Sequence, residues 1–188
     1  MNKLWIALGI IAVIVFIAFG WYQSGYNQMV SLDQQVKSSW AQVENQLQRR
    51  FDLIPNLVNT VKGYAAHEKD ILEEVTRLRS QWGQAASIPD KVAAANSLGG
   101  ALSRLLMVSE SYPNLKADQN FLELQSQLEG TENRIAVERM RYNQAVLQFN
   151  TYQLSLFGSF FAAATHLTQP AAYFKAPEGA QQAPVVKF

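Results

Sequence analysis

The 188-residue sequence contains no cysteine. That absence excludes disulfides, thiolate nucleophiles, cysteine-built zinc sites and a lipid-modified cysteine together. Histidine is scarce, and His67 and His166 lie far apart in the chain. Neither sits in a Glu-x-x-His pair of the di-iron bundles or in the His-Glu-x-x-His helix of zinc proteases. A Gly-x-Ser-x-Gly elbow and a glycine-rich phosphate loop are missing as well, which removes two common routes to nucleophilic and phosphoryl chemistry. Net charge is only +1, with acids and bases interleaved, so no basic field directs the chain to nucleic acid. No strand-length segment alternates apolar with polar residues. These absences give no reason to expect an enzyme, a metal or a cofactor.

What the sequence does have begins near its amino terminus. Leu4 to Tyr22 is a run of about 19 residues without a charge, long enough to cross a bilayer as a helix. Trp5, Trp21 and Tyr22 stand near its ends, where interfacial aromatics are favoured. A cleaved signal peptide is the alternative. Its apolar core would be shorter, about 7–15 residues, and Phe19-Gly20-Trp21-Tyr22 is a poor cleavage context. Lys3 precedes the span and Lys37 is the first positive charge after it. The positive-inside rule then predicts a single-pass protein with its amino terminus in the cytoplasm and the bulk of the chain on the exported side.

The rest reads as helix. Ser31 with Gln34 forms a capping-box pattern that predicts a helix start. From there Leu32, Val36, Trp40, Val43, Leu47, Ile54, Leu57 and Val61 recur at spacings of three and four. Pro55 falls inside that stripe, where it removes a backbone donor and crowds the Phe51 carbonyl. Gly63 is the better helix end, so one long kinked helix from Ser31 to Lys62 is predicted. The alternative is a break with Asp52 as N-cap. A second stripe is Ile71, Val75, Leu78 and Trp82. A third helix starts at Ser87 and Asp90, buries Val92, Leu98, Leu102, Leu105 and Val108, and stops at Pro113. A fourth, Asp118 to Leu156, buries Phe121, Leu124, Leu128, Ile135, Tyr142, Val146 and Phe149. The predicted class is all-α. An N-terminal transmembrane helix precedes an antiparallel up-and-down four-helix bundle with two long and two shorter helices. The predicted boundaries are an anchor with short linker at 1–27, the bundle at 28–168 and an extended, proline-containing tail at 169–188. In the tail, Tyr173, Phe174 and Phe188 are the residues able to pin it, around Pro170, Pro177 and Pro184; disorder is the other outcome.

The stretch RRFDLIPNLVNTVKGYAAHE, Arg49 to Glu68, resembles the signature of the LemA family of bacterial membrane-anchored helical proteins. GYNQMVSLDQQVKSSWAQVENQLQ (25–48), YPNLKADQNF (112–121), TENRIA (131–136) and YNQAVLQFNT (142–151) resemble it too, as does the tail near Tyr173 to Phe188. The resemblance implies a four-helix bundle, and with the predicted orientation a protein of the bacterial inner (cytoplasmic) membrane whose bulk lies on the periplasmic or extracellular side. It also implies a possible membrane-bound zinc metalloprotease partner, since such proteases are often encoded beside LemA-like proteins. Some members carry a lipoprotein cysteine just before Gly-Tyr-Asn, where this chain has Ser24; that cannot be lipidated, although it points to exported relatives. The family has also been described with a short external N-terminus, which keeps the opposite orientation open.

Two sets of residues are candidates for function. Arg50, Glu68, Glu132 and Arg139 are charges at stripe positions, and buried charges must pair or face an opening. They either fix helix register or form a partner contact beside the Pro55 kink, flanked by Arg49, Asp52 and Asn56, with the freed Phe51 carbonyl in need of a donor. The second set lies in LSLFGSFFAAATHL, Leu154 to Leu167, which is too short to span a bilayer. Phe157, Phe160, Phe161 and Leu167 there are either the buried end of the fourth helix or a membrane or subunit contact. The function these features favour is a non-enzymatic, membrane-anchored scaffold or adaptor of the cell envelope, self-assembling as a homo-oligomer and held in lipid through residues 4–22. A lipid-binding or sensing module is the alternative, and a hydrolase using carboxylates such as Glu68 and Glu132 is a further one.

Overall fold

The computed structural model describes residues 3–174. Helix α1 runs unbroken from Lys3 to Tyr64, so the expected start at Ser31 is not there. A helix that simply continues hands each N–H to the carbonyl four residues back, leaving Ser31 no orphan donor to cap. Ser31 is exposed in mid-helix. Pro55 also stands inside α1; one helix passes through it, and Asp52 starts nothing. Nor does Gly63 end the helix. The Ala65 N–H closes on the Val61 carbonyl at 2.8 Å, and no described glycine has a left-handed φ.

After α1 come α2 (Lys69–Gln84), α3 (Ile88–Val108), a 3-10 turn (Ser109–Ser111), the one-turn α4 (Pro113–Lys116), α5 (Gln119–Leu154) and α6 (Leu156–Ala164). No strand occurs among the described residues, and the fold is all-α. The helices there number six rather than an anchor and four. Anchor and first helix have merged, Pro113 opens a short helix where its fixed φ suits the first turn, and Ser155 splits the expected fourth helix. Ser87 caps α3, its Oγ accepting the Asp90 N–H at 3.2 Å. Asp118 caps α5, its Oδ1 accepting the Phe121 N–H at 2.9 Å.

The break before α6 is a local matter. Ser155 is extended, at φ −70° and ψ 159°, and its Oγ accepts the Gly158 N–H at 3.0 Å. The turn is so tight that a Cβ on Gly158 would run into the Tyr152 carbonyl. At the far end His166 adopts φ 60°. The Leu167 N–H reaches the Ala162 carbonyl at 2.9 Å and the His166 N–H reaches that of Ala163 at 3.3 Å. This is a Schellman closure with histidine where glycine is usual.

The described residues form two units, and α1 and α5 contribute to each. The first comprises residues 3–40 and 142–172. Its core joins Met29, Val36 and Trp40 of α1 to Tyr142, Val146 and Phe149 of α5, with the Trp40 and Tyr142 rings edge to face at 5.5 Å. Past α6 the chain doubles back along α5. Gln153 Nε2 donates to the Leu167 carbonyl at 2.6 Å, Asn150 exchanges two hydrogen bonds with the Ala171 backbone, and the Tyr142 hydroxyl donates to the Ala172 carbonyl at 2.8 Å.

The second unit comprises residues 41–141 with 173 and 174. Its core takes Val43, Leu47, Phe51, Ile54, Leu57 and Val61 from α1 and Leu72, Val75, Leu78 and Trp82 from α2. Leu72, not Ile71, faces inward on α2. Helices α2 and α3 pack in opposite directions, since Lys91 lies 5.7 Å over the Trp82 ring at one end and Arg104 bridges Glu74 at 2.7 Å towards the other. Phe174 is buried against this unit while Tyr173 stays exposed; Pro177, Pro184 and Phe188 lie outside the described residues.

The Asp118 cap makes stability pH-dependent. The Phe121 N–H, and then the Tyr64 hydroxyl at 2.9 Å, hold the Asp118 carboxyl below its ordinary 3.8. A carboxylate favoured in the folded state adds stability above its unfolded pKa, and that stability is lost as pH falls through the lowered folded value. Asp118→Ala should therefore lower the melting temperature at neutral pH. Its gap to the parent should close as pH drops below 3.8, as read by circular dichroism.

Candidate functional site

Arg50 occupies a core position of α1, between Leu47 and Ile54, and is 3% exposed. Its Nη1 donates to Glu132 Oε2 at 2.5 Å and its Nη2 to the Ala95 carbonyl at 3.5 Å. The Glu132 side chain remains 53% exposed, so the pair has one dry end and one wet end. Burial pushes the Arg50 guanidinium below its ordinary value, opposed by the charge and hydrogen bond of Glu132. An arginine stays protonated even so.

Arg139 lies two turns beyond Glu132 on the same face of α5. Its guanidinium sits 4.2 Å from the centre of the Phe174 ring, a cation–π contact, and its Nε is buried without a hydrogen-bond partner. Burial lowers its pKa most; Glu132 raises it and the neighbouring Arg50 lowers it again. Together Arg50, Glu132 and Arg139 line an open cleft of about 410 Å³, along with Asn96, Gly99 and Ser103 of α3 and Leu128 and Glu129 of α5. The cleft offers cationic donors, wet carboxylates and a floor of small residues. Such a site can seat a polar or charged group by charge-assisted hydrogen bonds.

Glu68 is elsewhere. It does not line the cleft, and it accepts the Tyr112 hydroxyl at 3.1 Å ahead of α2. Glu68 and Glu132 thus do not share one opening. Arg49, Asp52 and Asn56 are exposed on α1. Asp52 accepts from Gln48 Nε2 at 2.7 Å, and the Asn56 carbonyl accepts the Thr60 hydroxyl at 2.9 Å. Pro55 is half-buried. The Phe51 carbonyl it leaves without a helical partner accepts Arg79 Nε at 3.2 Å, while the Phe51 ring stacks on Trp82 at 4.0 Å. Among the described residues no three His, Cys, Asp or Glu side chains cluster as metal ligands, and His67 and His166 are exposed. Of the α6 set, Phe157 and Phe160 are exposed, Phe161 is buried and Leu167 is half-buried.

Sequence reasoning did not find Arg79, Lys91, Asn150 or Gln153. Arg79 follows Leu78 on the edge of the α2 stripe, the usual place for an arginine that covers a neighbouring backbone. Lys91 pairs with Glu44 while lying over Trp82. Asn150 and Gln153 continue the spacing of Val146 and Phe149 and are buried; buried amides on a core stripe signal backbone held nearby.

Two measurements follow from this geometry. Arg79→Met should cost about 1 kcal/mol, and much less in a Pro55→Ala background, where residue 55 again donates to Phe51; a double-mutant cycle by urea unfolding reads the coupling. Glu132→Ala strands a buried cation and should cost about 2 kcal/mol, reduced by the wet side of the pair. Arg50→Met removes that cation and should cost less than Glu132→Ala in the same assay.

Comparison with known proteins supplies the remaining finding. Magnetosome proteins MamQ 1 and MamQ 2 of Paramagnetospirillum magneticum are each 25% identical to this chain over 169 residues, covering 76% of it and 61% of the relative. Magnetosome protein MamQ of Magnetospirillum gryphiswaldense is 24% identical over 174 residues, covering 79% and 63%. The chain thus spans about three-fifths of the length of these curated relatives. The LemA family model matches residues 39–188, a range that takes in Pro55, the charged cleft and α6, and the chain belongs to the LemA family.

Proposed function

We propose that this protein is a membrane-anchored, non-enzymatic scaffold or adaptor of the bacterial cell envelope. The observation that carries this reading is α1. Residues 4–24 are all exposed and almost wholly apolar, and the same unbroken helix continues into the packed second unit. About 30 Å of hydrocarbon is crossed by roughly 20 residues, so residues 4–22 act as the lipid-spanning part of a single-pass protein of the inner membrane.

Further parts of the proposal are finer. The body behaves as an up-and-down four-helix bundle made by parts of α1, α2, α3 and α5, bounded roughly at 28–168, with 1–27 as anchor and 169–188 as tail. This is supported by contacts of α1 with each of the other three, through Phe51 and Trp82, Arg50 and Ala95, and Arg50 and Glu132. The body lies on the exported side and self-associates. The cleft around Arg50, Glu132 and Arg139 receives a polar or charged segment of a partner, for which a membrane-bound zinc metalloprotease is the leading candidate. The non-enzymatic reading is supported by the lack of a catalytic motif and by Arg50 occupying Glu132.

The test is capture from detergent-solubilised membranes with the tagged full-length chain, together with its mass by light scattering. The chain should resist alkaline extraction, run as more than one copy and retain a partner. Arg139→Glu should lose that partner. So should Ser103→Phe, which fills the cleft without touching the ion pair. A monomer with no partner, or a partner indifferent to both variants, overturns the scaffold reading.

A further inference from the structure

The sequence from Tyr142 to Phe174 contains no Asp, Glu, Lys or Arg, and neither does the stretch from Leu4 to Leu32. The two stretches meet in the first unit. Helix α6 packs across α1 just past the apolar run. The Trp21 ring lies 5.1 Å from Phe161 and 5.5 Å from Phe157, and the Tyr22 ring 6.3 Å from Phe160. A Cβ on Gly25 would overlap the Phe161 ring, so glycine is what lets α6 settle directly on α1. The Tyr152 hydroxyl donates to the Gly25 carbonyl at 3.1 Å and fixes the end of α5 at the same level.

This docking turns Phe161 and Ala162 inward and leaves the other face bare. Leu154 and Leu156 are 78% and 83% exposed, and Phe157 and Phe160 stay exposed beside Trp21. Isolated exposed apolar residues need no explanation, whereas a contiguous aromatic and aliphatic patch does. Its depth identifies what covers it. Residues 4–22 rise roughly 28 Å at 1.5 Å per residue, close to the hydrocarbon thickness. That puts Trp21 and Tyr22 at the interfacial level that such rings favour. A nine-residue helix resting on those rings is too short to span. Its flanks, Ser155 before and Thr165 after, are polar and carry no acid or base. This suits a helix lying in the plane of the interface.

We propose that α6 is a second membrane-contacting element, seated in the lipid–water interface with Leu154, Leu156, Phe157 and Phe160 inserted among the acyl chains. The patch is continuous with the lipid-facing surface of α1, which favours lipid over a second copy of the chain as its occupant. The proposal rests on the single-span reading of α1, and the experiment separates the two.

Because the chain has no cysteine, single-cysteine variants label cleanly. Leu156→Cys, Phe157→Cys and Phe160→Cys, each carrying an environment-sensitive NBD fluorophore, are reconstituted as full chain into phosphatidylcholine vesicles. Phe16→Cys serves as a mid-span reference and Gln35→Cys, exposed further along α1, as an aqueous one. Helicity by circular dichroism confirms that each variant is folded. The three α6 probes should show blue-shifted emission and lose it to a nitroxide on the upper acyl chain. Phe16→Cys should respond best to a deep nitroxide, and Gln35→Cys only to an aqueous quencher. If the α6 probes report water while Phe16→Cys reports lipid, the interfacial helix is refuted and the anchor stands. If Phe16→Cys reports water too, the anchor reading fails with it. Blue-shifted α6 probes that no lipid nitroxide quenches would mean a second copy covers the patch, which also overturns the proposal.

Discussion

A helical backbone must satisfy its own N–H and carbonyl groups wherever water cannot, and α1 is built around that requirement. Its hydrogen-bond ladder needs no cap at Ser31 and no turn at Gly63. The ladder has one built-in defect, at Pro55, where the Phe51 carbonyl loses its partner. The repair comes from another helix. Arg79 of α2 reaches that carbonyl at 3.2 Å while Trp82, three residues on, stacks against the Phe51 ring. A defect mended from outside also ties α2 to one level of α1, so the proline helps set which residues of the two helices meet. The Arg50 level follows directly, because Arg50 and Phe51 are adjacent and face different neighbours.

The chain divides its chemistry as sharply as its packing. Lys3, Asp33 and Lys37 are the only Asp, Glu, Lys or Arg residues in 1–40 and 142–172, and the last two neutralise each other across one helical turn. The remaining charges of the described residues lie in the second unit, where they bridge helices: Arg50 to Glu132, Lys91 to Glu44, Arg104 to Glu74. The more exposed of these, Lys91 to Glu44 and Arg104 to Glu74, add little stability. They join α1 to α3 and α2 to α3, while Arg50 and Glu132 join α1 to α5 and line the cleft. The first unit offers the opposite along residues 4–22 and in α6, where the exposed side chains are mostly apolar.

Much of the candidate site was legible as a list and little of it as a place. Charges at core spacing marked Arg50, Glu132 and Arg139, because an apolar stripe interrupted by a charge is visible within one helix. Glu68 carried the same signal, yet the structure sets it beside Tyr112 and away from the cleft. In α6 the aromatic residues were visible as a group. Which of them turns inward was not, because Gly25, more than a hundred residues earlier, makes the seat for Phe161.

The sequence by itself determined the all-α class, the apolar run at the start of α1, the helix start at Ser87 and the passage of α1 through Pro55. Each of these is settled within a turn or two of backbone, by hydrogen-bond partners and spacing that lie next to each other in the chain. Only the tertiary structure decided that α1 has no second start, that Leu72 rather than Ile71 faces the core, that Arg50 pairs with Glu132, and that α5 breaks at Ser155 so that Phe160 stays outside. Those outcomes depend on which surface a distant segment brings into contact, and no local pattern encodes the shape of a neighbour.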